Sequence, residues 1–451
     1  MTDTAKPSHR QPSVFASRGW RFAVMIVLTL LMFVPLILIS LVIEDRVSYR
    51  RDALREVSQQ WGGEIGIDGP VLIIPVERIG VRTVKDEEGR PRSENFTERA
   101  ASVVLRPELL DIVADARSEI RHRGIFKVPV YASDMVMSFG FDPARVEQVP
   151  GPRETVLWDK AMLVVYLPAA RSFSGETVLS AAGRSFDLEP GTPDGNRSGF
   201  HARTGDPRRL GEFTLKMGLN GAGRFGFAPA GRLTRVTLTS DWPHPSFTGN
   251  FLPKNREITA EGFTATWEVP HLARDIAQVS RGEGWTRSSF GVRFYSPVDI
   301  YQRVQRAVKY GVLFIALSFL TVFLMERFSK RNVHPAHFVL IGIAQCTFFL
   351  LLLSFAEQIG FTPSYLLAGG ATISLISFYA AGGLGLGRRA WALAAALALM
   401  YAVLYLILRS ADYALLAGSV LAFAAVALAM VMTRGEDWSG RGEMAPAPEP
   451  A

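Results

Sequence analysis

The stretch 22-FAVMIVLTLLMFVPLILISLVI-43 decides the fold. Its 22 residues carry no charge, and crossing a hydrocarbon core takes about 20. Arg18 and Arg21 precede it, and Glu44 and Asp45 follow. A cleavable signal has a shorter apolar core and a small-x-small site. This run ends Leu38-Ile39-Ser40-Leu41-Val42-Ile43, so it reads as a signal anchor that stays in the membrane. Pro35 is expected to bend it, which membrane helices tolerate when neighbours satisfy the freed carbonyl.

Five further apolar runs follow: Tyr310–Met325, Phe338–Ala356, Phe361–Gly387, Ala390–Leu408 and Tyr413–Met432. Arg306 and Lys309 can snorkel beside the short first of these, whose helix should begin earlier. Six spans are expected, one plus five. With the N-terminus inside, the cytoplasmic flanks hold Lys6, Arg10, Arg18, Arg21, Arg327, Lys330, Arg331, Arg388, Arg389, Arg434 and Arg441, against Arg409 alone in the short outer loops. That asymmetry orients the chain. It implies a cytoplasmic tail over 1–21, a first span over 22–43, a periplasmic domain over 44–308, a five-helix bundle over 309–433 and a cytoplasmic tail over 434–451. The expected location is a bacterial inner membrane, and the lipid bilayer is the one partner the pattern demands.

The formal net charge of +7 invites a nucleic-acid reading, but residues 44–308 hold 36 Lys/Arg against 34 Asp/Glu. Lys/Arg are not interleaved there with aromatics, so no nucleic-acid partner is expected. The single cysteine, Cys346, lies in an apolar run, which excludes an intramolecular disulfide. At about 260 residues the outer domain is large enough to be held by its own core.

Residues 44–61 place Val47, Leu54, Val57 and Trp61 on one helical stripe. Ser296-Pro297 reads as an N-cap with Pro at N1, opening a second stripe of Tyr301, Val304 and Val308. The two predict stalk helices packed face to face; the alternative is two separate amphipathic helices on the headgroups. Between them the pattern is β: Val71–Val76, Ile125–Tyr131, Met162–Leu167, Phe213–Met217, Leu233–Thr239, Phe263–Trp267 and Phe290–Phe294 are short and β-branched or alternating. They predict a mostly antiparallel, sandwich-like domain. Residues 107–117 are a helix candidate, and 189–209 read as an exposed loop.

Chemistry is sparse. Asp241, His244 and Ser246 sit together in SDWPHPS (240–246), but triads draw their members from separate parts of a chain and two prolines keep this segment extended. His334 and His337 form H-x-x-H without a third ligand, and Pro335 disfavours a regular helix there; zinc usually takes four ligands. Gly382–Gly387 has no preceding strand and the wrong spacing for a nucleotide cradle, leaving close helix packing as its role. No ionisable group stands at mid-span. Glu357 and Asp412 lie at outer span ends, and Gln345 is the most polar side chain well inside. No catalytic, cofactor-binding or metal-ligating residue is assigned.

Long strings then carry a family resemblance. RRDALREVSQQWGGEIGIDGPVLIIPV (50–76), DWPHPSFTGNFLPKNREITAEGFTATWEVPHLAR (241–274), YSPVDIYQRVQRAVKYGVLFIALSFLTVFLMERF (295–328), HPAHFVLIGIAQCTFFLLLLSFAEQIGF (334–361) and ADYALLAGS (411–419) resemble the CreD family of inner-membrane proteins. The resemblance implies a role in cell-envelope integrity and the envelope stress response, with tolerance of β-lactams and colicins, and it brings no catalytic residue with it. The expected function is a non-enzymatic envelope protein whose periplasmic domain senses or binds an envelope protein, lipid or cell-wall component. The alternative is a membrane-embedded enzyme acting on a lipid or cell-wall precursor through Glu357, Asp412 and Asp241. A transporter comes third.

Overall fold

The computed structural model describes residues 18–85, 90–193, 195, 197–282, 288–294, 300–329, 333–409 and 414–434. The chain divides into two compact units, Arg50–Pro297 and a second made of Met1–Tyr49 with Val298–Ala451. Ser296, Pro297, Lys330, Arg331, Asp412 and the tail beyond Arg434 lie outside the described residues.

The first unit is built from two sheets. Its first six strands are β1 (Ile65–Lys85), β2 (Pro91–Leu105), β3 (Leu109–Arg123), β4 (Phe126–Gly140), β5 (Glu154–Val156) and β6 (Met162–Tyr166). One sheet of ten strands centres on β1, flanked by Arg224–Phe227 and β6 and joined by β2 and β5. The other, of eight, runs Asn255–Thr259, Gly262–Pro270, Leu233–Ser240, β3, β4, Glu212–Ala222, Phe173–Ala181 and Arg184–Phe186. All seven segments with a β pattern in the sequence are strands. Both sheets are mixed, however: β1 pairs in parallel with Arg224–Phe227, and β3 in parallel with Leu233–Ser240, while the long β1–β2 and β3–β4 ladders are antiparallel.

One core joins the sheets. Ile67, Leu163, Phe225 and Phe290 from the first cluster with Ile112, Met137, Phe213 and Trp267 from the second. Tyr131 on β4 sits near its centre, fully buried. It stacks on Phe225 and Phe294 with ring centroids 5.2 and 4.6 Å apart, and its hydroxyl donates to the Arg224 carbonyl at 2.8 Å. Gly221 stands beside it because a Cβ there would lie 2.4 Å from the Tyr131 ring.

Two expectations fail here. Residues 107–117 are not helical: Leu110, Ile112, Ala114 and Ala116 are buried alternately along β3, a period of two. Nor is 189–209 one exposed loop. Gly199–Arg203 pairs with β6, buries Phe200 and Ala202, and is edged by Glu189–Pro190.

The second unit is helical: α1 (Arg18–Leu31), α2 (Phe33–Gln60), α3 (Ile300–Ser329), α4 (Pro335–Ile359), α5 (Phe361–Gly382), α6 (Ala390–Arg409) and α7 (Ala414–Thr433). The last turns of α2 continue into the β unit. Five of the described stretches are long and apolar enough to cross a membrane: Trp20–Gln60, Ile300–Glu326, Pro335–Ile359, Phe361–Gly382 and Gly387–Arg409. The second of them begins ten residues before the apolar run, as expected from the snorkelling Arg306 and Lys309. The break at Met32, between α1 and α2, follows from Pro35, whose ring clashes one turn back and which lacks an N–H to donate there.

Residues of the two expected stalk stripes have partners within their own units. At the end of α2, Leu54, Val57 and Trp61 rest on Val128, Val130 and Ala222 of the β unit, and Trp61 Nε1 donates to the Tyr131 carbonyl at 3.2 Å. Gly62 and Gly63 have φ of +107° and +80°, and the Gly63 N–H closes the helix on the Ser58 carbonyl at 2.7 Å, a left-handed glycine stop. Tyr301 and Val304 are buried within the helical unit.

Candidate functional site in the helical unit

The segment that looked most like chemistry is structural. Asp241 Oδ1 accepts from the Ser118 N–H at 2.7 Å, the His244 carbonyl accepts from Trp242 Nε1 at 3.1 Å, and Ser246 lies in strand Pro245–Gly249, paired with Arg293. Asp241 thus ties the end of strand Leu233–Ser240 to β3. The histidines have separate partners: His334 Nδ1 accepts from the Ala336 N–H at 3.2 Å, and His337 Nδ1 lies 2.6 Å from the Tyr379 hydroxyl. Pro335 does not prevent the helix but starts it, at N1. Among the described residues no three His, Cys, Asp or Glu are grouped to hold a metal.

Gly382–Gly387 is likewise not a packing surface. It is the turn between α5 and α6, with Gly385 and Gly387 at φ of +66° and +55°. The glycines that let helices approach are elsewhere. A Cβ on Gly342 of α4 would lie 2.5 Å from Met32 Sδ, and one on Gly311 of α3 would lie 3.0 Å from Phe349 and 3.1 Å from Leu36.

Polar groups of the helical unit gather at three levels. At one end, the half-buried Arg21 of α1 pairs with Glu326 of α3, which is 9% exposed. Arg21 also donates to the Val333 carbonyl at 2.9 Å, and Glu326 accepts from the Val333 N–H at 3.0 Å. At the other end, Glu357 of α4, also 9% exposed, accepts from the Tyr301 hydroxyl at 2.9 Å and lies 3.9 Å from Arg46 Nε. Tyr301 and Glu326 are 25 residues apart on α3, or ~38 Å at ~1.5 Å per residue. That exceeds a hydrocarbon core of about 30 Å, so both carboxylates reach interfacial levels. Between them, Gln345 Nε2 donates to Ser318 Oγ in the buried interior, and the Tyr365 hydroxyl donates to the Tyr401 carbonyl at 2.7 Å.

Glu357 Oε1 is engaged by the Tyr301 hydroxyl, and Asp241 Oδ1 by the Ser118 N–H. Glu326 was not singled out from the sequence. Its signal is position: the first carboxylate after an apolar run, at the basic end, with Arg21 the cation at the matching end of the first span.

The charged groups of the β unit are tied in the same way. Arg281, the Gly151 N–H and Arg78 together hold the Glu154 carboxyl down at about 2. Arg274, 8% exposed, donates to the Ala230 carbonyl at 2.5 Å and to Gln278; burial, with Arg106 nearby, lowers it to about 10.

Apolar helices long enough to span a bilayer, with ionisable groups at their ends and a two-sheet unit inserted between the first and second, define a multi-pass membrane protein. The family model for Inner membrane protein CreD matches residues 17–439, and the chain belongs to that family. It is similar to the Inner membrane protein CreD of Escherichia coli (strain K12), 32% identical over 429 residues that make up 93% of this chain and 93% of that protein.

Proposed function

We propose that the chain is a non-catalytic, six-span protein of the inner membrane that serves envelope integrity and the envelope stress response. In this reading residues 44–308 face the periplasm and bind an envelope component, a protein, a lipid or a cell-wall precursor, and the helical unit is the membrane-side effector. The observation that carries it is the engagement of the chemistry-bearing residues. Asp241 ties a strand end of the β unit, and His334, His337 and Glu357 each take part in a hydrogen bond within the helical unit, which supports a binding role over a catalytic one. The orientation rests on the eleven-to-one distribution of Lys/Arg.

The test is capture from membranes. The full chain and a chain lacking residues 62–295 are crosslinked in their native membrane, purified, and analysed for bound lipids and proteins. An envelope component retained by the full chain alone is the expected result. Identical recovery from both would end the binding reading, and loss of stress tolerance in a well-expressed Glu357→Gln variant would revive the enzyme.

A further inference from the structure

Past β5, β1 and β2 run on as a two-stranded ribbon, residues 79–85 against 91–97. Two strands alone are marginally stable in water, and this ribbon has unlike faces. On one, Ile79, Val81 and Thr83 stand opposite Thr97, Asn95 and Ser93. That face is uncharged, with Ile79 44% and Val81 49% exposed. On the other, Phe96 covers Gly80, where a Cβ would lie 2.6 Å from its ring, and Arg82 pairs with Glu94 at 2.9 Å. Arg92 has Val84 across from it, and Arg78, across from Glu98, binds Glu154 at 2.7 Å.

Among the described residues no strand lies against the outer edge of β2 before Ser102, whose carbonyl accepts from the Gly282 N–H at 2.8 Å. Charges on an edge strand deter stray pairing, so the edge's own sequence decides what can join it. A second β2 laid antiparallel about Asn95 puts Arg92 opposite Glu98 of the second copy, twice by symmetry, and Ser93 opposite Thr97. Such cross-strand pairs are stabilising. A one-residue slip sets the charged face of one copy beside the uncharged face of the other. A two-residue slip keeps the faces matched but sets Glu94 against itself in one direction and against Glu98 in the other. The charges that turn other strands away thus fit each other in this register.

We propose that the outer edge of β2 is a self-association surface, at which two copies of the chain join their ribbons antiparallel about Asn95 into one four-stranded sheet. The contact is isologous, the same strand serving on both sides, so it closes at two copies. Four strands pass the number at which a small sheet can stand on its own.

The experiment is oxidative crosslinking of the full chain in its native membrane. In this pairing Asn95 meets Asn95 with Cα atoms about 4.5–5.5 Å apart, inside the ~7 Å that a disulfide spans. The two Ser93 positions are offset by four residues, about 13 Å along the strands. Asn95→Cys should therefore give a disulfide-linked dimer. Ser93→Cys should not, nor should the wild type, whose single thiol is the buried Cys346. Adding Arg92→Glu to the Asn95→Cys chain should cut the dimer several-fold, and adding Arg92→Lys should keep it, because only the first sets an acid against Glu98. Absence of a dimer from Asn95→Cys would overturn the proposal. So would equal crosslinking at 93 and 95, a dimer indifferent to Arg92→Glu, or a crosslink from Asn95→Cys to a different protein.

Discussion

Glu154 shows how single residues hold the β unit. Its carboxylate, 3% exposed, is bound by Arg281, which itself donates to the Val149 carbonyl at 2.7 Å, by the Gly151 N–H at 2.7 Å, and by Arg78 Nη2 at 2.7 Å. Those partners come from β1, from the loop before β5, and from strand Val279–Arg281 against β2. Separations of 76 and 127 residues along the chain explain why no sequence pattern announced the knot. Asp241, by contrast, was legible as the end of a strand, since the prolines after it dictate an extended segment. The folded-state pKa of Glu154, about 2, lies below its ordinary 4.5, so the fold favours the ionised form. Its contribution is complete above pH 4.5 and is lost as pH falls toward 2. Glu154→Gln should therefore be less stable than the wild type at neutral pH, with the two urea midpoints converging as the pH falls below 4.5. Tryptophan fluorescence of the full chain would follow this, and a gap that is constant with pH would show that Glu154 acts by packing alone.

Among the elements, legibility tracked burial. Strands such as Phe263–Trp267 were readable because alternation puts every second residue in the core. β2 was not, because most of its residues are exposed: beyond β5, β1 and β2 continue as a ribbon whose charged residues pair across it, Arg82 with Glu94 at 2.9 Å. The apolar runs placed α4, α6 and α7 to within a turn at each end, while α3 begins ten residues before its run; the partners of each helix face were not readable, since both faces of a membrane helix are apolar. Gly342 and Gly311 are the clearest instance: uniform in sequence with their neighbours, they receive Met32 and Leu36 of the first span. Gly342→Leu must push Met32 and Phe319 aside, an overpacking that costs about 1–3 kcal/mol. Gly370→Leu on α5 is the control, because nothing lies within 4 Å of its Cβ. The thermal midpoint in detergent should fall for the first and hold for the second. Equal behaviour would mean that the first span is packed loosely enough to yield.

At the scale of the whole helical unit, the ion pairs bear on how the chain crosses the membrane. Arg21 at the start of α1, Glu326 toward the end of α3 and Val333 at the start of α4 meet at one place. Arg46 on α2, Tyr301 at the start of α3 and Glu357 near the end of α4 meet at another. Alternating passages through a bilayer require this sorting: the beginning of the first span, the end of the second and the start of the third on one side, and their opposite ends on the other. In the orientation proposed above, the side holding Arg21, which is also the side with the excess of Lys/Arg in short flanks, is the cytoplasmic one. Reporter fusions after residues 200 and 360 should then read periplasmic, and fusions after 332 and 440 cytoplasmic. The pair at 332 and 360 tests the crossing of α4, and the fusion at 440 tests whether α7, with 20 residues, completes a sixth span. A cytoplasmic reading at 200 would reverse the whole orientation. A periplasmic reading at 440, with the other three as expected, would leave the orientation intact and remove only the sixth crossing.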